Sequence, residues 1–63
     1  MEQEVEQYRD ACLALCNKLL IALEKNQEDA NRFCNGEIQK AYVTVNEKVA
    51  GEVRQIRKKI KRL

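Results

Sequence analysis

The chain has no proline, no histidine, no serine and no tryptophan, and only two glycines and one phenylalanine in 63 residues. Without proline nothing breaks a helix by ring geometry, and two glycines leave few turns. Without histidine or serine the common general base and the hydroxyl nucleophile are missing, and there is no Gly-rich phosphate loop. The remaining carboxylates fall on polar helix faces with no apolar pocket to shift them. The expectation is a non-enzymatic chain that uses no cofactor. The apolar runs Ala11 to Cys16 and Leu19 to Leu23 are six and five residues long, against roughly 20 for a membrane span. Nothing resembles a signal peptide. The single threonine, Thr44, follows Tyr42 and Val43, so no glycosylation acceptor exists.

What is present is characteristic of helices. Hydrophobic residues make up 44% and charged residues 35%, rich in Ala, Glu, Lys, Leu, Arg and Gln, a mix typical of coiled coils and long helices. Sixty-three residues allow at most one domain. A domain of that size buries only roughly 60% of its unfolded surface and usually needs a staple or a partner.

Val5, Tyr8, Cys12, Leu15, Leu19 and Leu23 step by three or four and predict one helix. Ala11, Cys16, Leu20 and Ala22 widen the stripe, and Leu13 and Ile21 lie outside it. From Ala11 to Leu23 almost the whole circumference is therefore apolar, more than one two-helix seam can cover. Residues 24–32 are polar apart from Ala30, and Asn35-Gly36-Glu37 reads as a helix stop and restart. Ile38, Tyr42, Val45, Val49, Val53, Ile56, Ile60 and Leu63 then predict a second helix. Its weak points are the β-branched run at Tyr42 to Val45 and Gly51, which costs ~1 kcal/mol relative to Ala. With Ala50 beside it, Gly51 is a candidate for close approach of a partner helix.

The predicted fold is all-α: an antiparallel hairpin of helices over 2–34 and 37–63, turning near Asn35-Gly36 and assembling into a coiled-coil-like bundle. Facing residues would have numbers summing to about 71. Leu15 then meets Ile56, Leu19 meets Val53, Leu23 meets Val49, and Cys12 lies near Ile60. Two alternatives stand beside it, a turn near Asn26 to Asp29 and one long helix in an intermolecular bundle. Leu63 ends on the apolar phase without a stop signal, as it would in a piece of a longer chain. Asn26 and Asn46 miss the apolar stripe and are expected on the surface or in a loop, rather than as register-setting polar residues in a seam.

Net charge is +2, unevenly spread. Residues 1–32 hold seven acids and four bases, and residues 33–63 hold three acids and eight bases. The last ten residues carry Arg54, Arg57, Lys58, Lys59, Lys61 and Arg62 and no acid. One reading pairs this end with the acidic start at Glu2, Glu4 and Glu6 across the hairpin. Another makes it a basic amphipathic patch for nucleic acid or anionic membrane. No aromatic interleaves the run, which weighs against stacking on single strands.

Cys12, Cys16 and Cys34 are three thiols with no histidine. Structural zinc takes four such ligands. On a continuous helix Cys34 would lie roughly 27 Å from Cys16. No metal site is expected, and the thiols read as small apolar residues of a reduced, intracellular and most simply cytoplasmic protein. The favoured function is a helical interaction or oligomerisation module. Leu13, Cys16, Leu20, Ile21, Val43 and Ala50 are its expected interface, and the partner is a second copy or another helical protein. The alternative is a basic adaptor acting through residues 54–63.

Overall fold

The computed structural model describes residues 2–63, with side chains from Glu4 onward. Helix α1 runs Glu2–Phe33 and helix α2 runs Gly36–Lys61, and together they form an all-α hairpin. The polar stretch 24–32 stays helical inside α1, so the chain does not turn at Asn26 to Asp29. The Cα trace measures 51 × 16 × 8 Å, the dimensions of two helices lying side by side.

The turn is built from Cys34 and Asn35. The Cys34 amide donates to the Ala30 carbonyl at 2.9 Å, which closes α1. Asn35 is extended (φ −144°, ψ 173°) and caps α2 with its backbone alone. Gly36 then takes φ +61°, the left-handed region that glycine enters without a side-chain clash. Glu37 in the first turn of α2 meets the positive end of the helix dipole, and Lys58, Lys59 and Lys61 in the last turn meet the negative end. The β-branched run remains helical, and the Thr44 hydroxyl donates to the Lys40 carbonyl one turn back at 2.9 Å.

Hydrogen bonds across the seam give the register. Gln39 of α2 bonds Asn31 of α1 at 3.0 Å, and Asn46 bonds Asn26 at 3.1 Å and Gln27 at 3.0 Å. Those pairs sum to 70, 72 and 73, close to the expected register. In this register Leu63 lies level with Tyr8, so the first turns of α1 overhang the end of α2. Among the described residues Glu4 and Glu6 therefore make no ion pair with the basic end, and the Glu2 side chain lies outside the described residues. Among the described residues the ion pairs are Lys25–Asp29 at 3.4 Å and Lys40–Glu37 at 3.9 Å, each within one helix.

The core is thin. Cys16, Val53 and Ile60 form its buried cluster, with Cys12, Leu13, Leu20 and Val49 packed partly against it. Ala30 is also buried, nearer the turn. The register matches expectation, and of the expected pairs Cys12 and Ile60 lie in the core and Leu23 and Val49 are half-buried, but the rotation of the helices turns other expected seam residues out. The expected pair Leu15–Ile56 lies outside the core, with both side chains exposed, and Leu19 is exposed as well. The seam row runs instead through Cys16, Leu20, Leu23, Gln27 and Ala30, facing Gln39, Val43, Asn46, Ala50 and Val53. The small residues Cys16, Ala30 and Ala50 lie in this seam row, while the larger Leu15 and Leu19 are turned out.

Candidate interaction surface

Rotating outward from the seam gives the hairpin two flanks. At 100° per residue, a position one before or three after a seam residue lies on one flank, and a position one or four after lies on the other. On α1, Leu15 and Leu19 flank Cys16 on the first side, and Phe33 follows Ala30 by three. On α2, Ile38, Tyr42, Val45, Ile56 and Leu63 take the equivalent positions around Gln39, Asn46, Val53 and Ile60. Tyr8 and Val5 carry the row to the N-terminus. Among the described residues, ten of the eleven exposed large apolar side chains fall on this flank, and Ile21 points elsewhere. Phe33, Tyr8 and Leu63 are each more than 70% exposed. Soluble monomers rarely present a contiguous apolar surface along their whole length.

The opposite flank is different in kind. A shallow groove of about 550 Å³ runs along it, floored by Leu20, Val43 and Ala50 and walled by Glu24, Asn31, Glu47 and Arg54. It is mixed in polarity and open to solvent.

The six residues expected at an intermolecular surface divide unevenly. Cys16 is in the hairpin's own core, and Leu13, Leu20, Val43 and Ala50 are half-buried along the same seam. Their principal neighbour is the other helix of the same chain. Ile21 is exposed on the outer side of α1. The outward set takes in Val5, Tyr8, Leu15, Leu19, Ile38, Tyr42, Val45, Ile56 and Leu63 of the two predicted stripes, whereas Cys12, Leu23, Val49, Val53 and Ile60 of the same stripes face inward. The cause is the wide apolar belt of α1, in which either edge of the stripe can serve the hairpin. Asn46, expected at the surface, is half-buried between the helices, and its amide joins Asn26 and Gln27. Its spacing of seven from Val53 and Gln39 was the signal that could have found it.

In the basic segment Arg57 is half-buried beside the groove, and Arg54, Lys58, Lys59, Lys61 and Arg62 are exposed. Among the described residues none of the six makes an ion pair within 4 Å. Cys12, Cys16 and Cys34 are free thiols, and no cluster of three potential metal ligands occurs among the described residues. No described helix is long and apolar enough to cross a membrane. No protein-family model, no curated protein and no solved structure matches the chain.

The total accessible surface is 5378 Å². A compact monomer of 7.4 kDa would expose about 4,200 Å². The hairpin therefore carries an excess of about 1,200 Å², more than one partner contributes to a standard protein interface.

Proposed function

We propose that the chain is a non-enzymatic helical interaction and oligomerisation module whose apolar flank is covered by helices of a partner. The observation that carries this reading is the gathering of ten exposed large apolar side chains on one flank of a hairpin that has, among the described residues, only four buried ones. Burial of that flank stabilises the assembly at about 25 cal/mol per Å² of apolar surface, and the hairpin's own seam is too thin to replace it. The test is thermal and urea unfolding followed by circular dichroism at submicromolar concentration. The isolated chain should unfold broadly, with helicity that rises when a helical partner or more protein is supplied. A sharp, cooperative transition at the lowest concentration, independent of any partner, would remove the reading.

A second reading has its own observation, the basic end whose six cations lack ion pairs among the described residues. In it residues 54–63 dock on nucleic acid or anionic membrane. Binding would fall steeply with salt and vanish when Lys58, Lys59 and Lys61 are changed to Gln. Absence of binding to DNA, RNA and anionic vesicles at low salt would eliminate it.

A further inference from the structure

We infer that Arg54, Arg57, Lys58 and Lys61 form one face of α2 that lies along the phosphate backbone of a nucleic-acid duplex. The inference rests on the second reading above. It fixes the partner and assigns the contact to four of the six cations.

The first observation is placement. Arg54, Arg57, Lys58 and Lys61 stand at i, i+3, i+4 and i+7, so they share one side of α2. The row covers about 10 Å of helix axis. It belongs to the groove flank, where Arg54 and Arg57 line the groove. Lys59 and Arg62, in the same turns, lie on the outer side of α2 and toward the apolar flank.

The second is what surrounds the row. Arg54, Lys58 and Lys61 are exposed and Arg57 is half-buried. The α1 segment level with them, residues 10–17, carries one charged side chain, Asp10. Four bases against that one acid leave a net charge of +3. Among the described residues none of the four makes an ion pair within 4 Å. Lysines in the last turn gain from the helix dipole, but the effect fades beyond that turn and gives no account of Arg54 and Arg57. Toward the hairpin turn the footprint ends at Glu24 and Glu47, which wall the groove.

The third is what the face lacks. The exposed apolar side chains of this end of α2, Ile56 and Leu63, lie on the other flank. A bilayer that took them up would leave the four cations on the side turned away from the headgroups. No aromatic stands in the row, so single-stranded bases have no platform to stack on. A duplex needs neither feature. It presents one phosphate per about 1.7 Å of its axis, and the two guanidiniums can each hold phosphate oxygens bidentately. Such contacts read no base sequence. The apolar flank stays open to a helical partner, so the two readings are compatible in one molecule.

The experiment follows the fluorescence anisotropy of a labelled DNA duplex titrated with the full chain between about 50 and 200 mM salt. With four phosphate contacts, the logarithm of affinity should fall against that of salt with a slope of about −3.6, roughly a 150-fold loss over this range. Lys58→Gln with Lys61→Gln should halve the slope, leaving roughly a tenfold loss. Lys59→Gln with Arg62→Gln removes the same charge and should leave the slope at its wild-type value. Lys58→Arg with Lys61→Arg should also keep it. Glutamine is a good helix former, and circular dichroism should give the same helicity for all four chains. Equal loss of slope in the two Gln pairs would overturn the face and leave the second reading standing. Tighter binding to phosphatidylserine vesicles or to the single strand than to the duplex would overturn the duplex, again without touching that reading. Displacement of the duplex by poly-glutamate at the same concentration of negative charge would overturn a phosphate partner. Absence of binding to duplex, single strand and vesicles at about 50 mM salt would remove this inference and the second reading together.

Discussion

The rotation of the two helices can be read from a pair of truncations, Val53→Ala and Leu15→Ala. Val53 is 3% exposed and belongs to the buried cluster with Cys16 and Ile60. Removing its two methyl groups forfeits about 1.6 kcal/mol of transfer free energy at ~0.8 kcal/mol per buried carbon. A residual gap adds to that, and the better helix propensity of alanine returns ~0.5 kcal/mol. The net cost should be about 1.5–2 kcal/mol. Leu15 is 65% exposed. Truncating it removes three carbons, worth ~2.4 kcal/mol if fully buried, but only about a third of that is buried in the single hairpin, so the cost falls to ~0.8 kcal/mol. The assay is far-UV circular dichroism at submicromolar concentration during a titration with trimethylamine N-oxide, which folds a marginal chain by exclusion from its surface. The Val53→Ala midpoint should move to higher osmolyte by about twice as much as the Leu15→Ala midpoint. At concentrations where chains pair, the cost of Leu15→Ala should rise to match or exceed that of Val53→Ala. Equal costs at the lowest concentration would refute the placement of Leu15 outside the seam.

Other changes probe the backbone and the polar part of the seam. Gly36→Ala should destabilise the hairpin by ~1 kcal/mol in urea unfolding, because φ +61° strains any side chain although a Cβ there meets no atom within 4 Å. Gly51→Ala should instead stabilise by up to ~1 kcal/mol in the same assay, since Gly51 is helical and its Cβ also meets open space within the hairpin. A loss of stability at Gly51 would mean that a partner helix approaches there. Asn46→Ala removes two hydrogen bonds across the seam and should cost ~1 kcal/mol, because water can replace both partners. The readout is the thermal midpoint, and an unchanged midpoint would mean that the polar bridge adds nothing to the seam.

Much of this architecture was legible in the residues. The run of good helix formers without proline and the glycine after Asn35 determined two helices and their turn, because both follow from local backbone energetics. The register followed from the length of chain on each side of that turn. The wide apolar belt at residues 11–23 already indicated more apolar surface than one hairpin can hide. What only the tertiary structure decided was rotation about each helix axis. Leu15 and Leu19 stand on one edge of that belt and Cys16 and Leu20 on the other, and local periodicity assigns both edges the same apolar character. The choice depends on what each edge meets across the seam, where the small residues Cys16, Ala30 and Ala50 lie and Asn46 bridges to Asn26 and Gln27. That choice turns the larger side chains outward on a single flank. It also leaves the acidic start beyond the end of α2, where a charge count along the chain had joined it to the basic end.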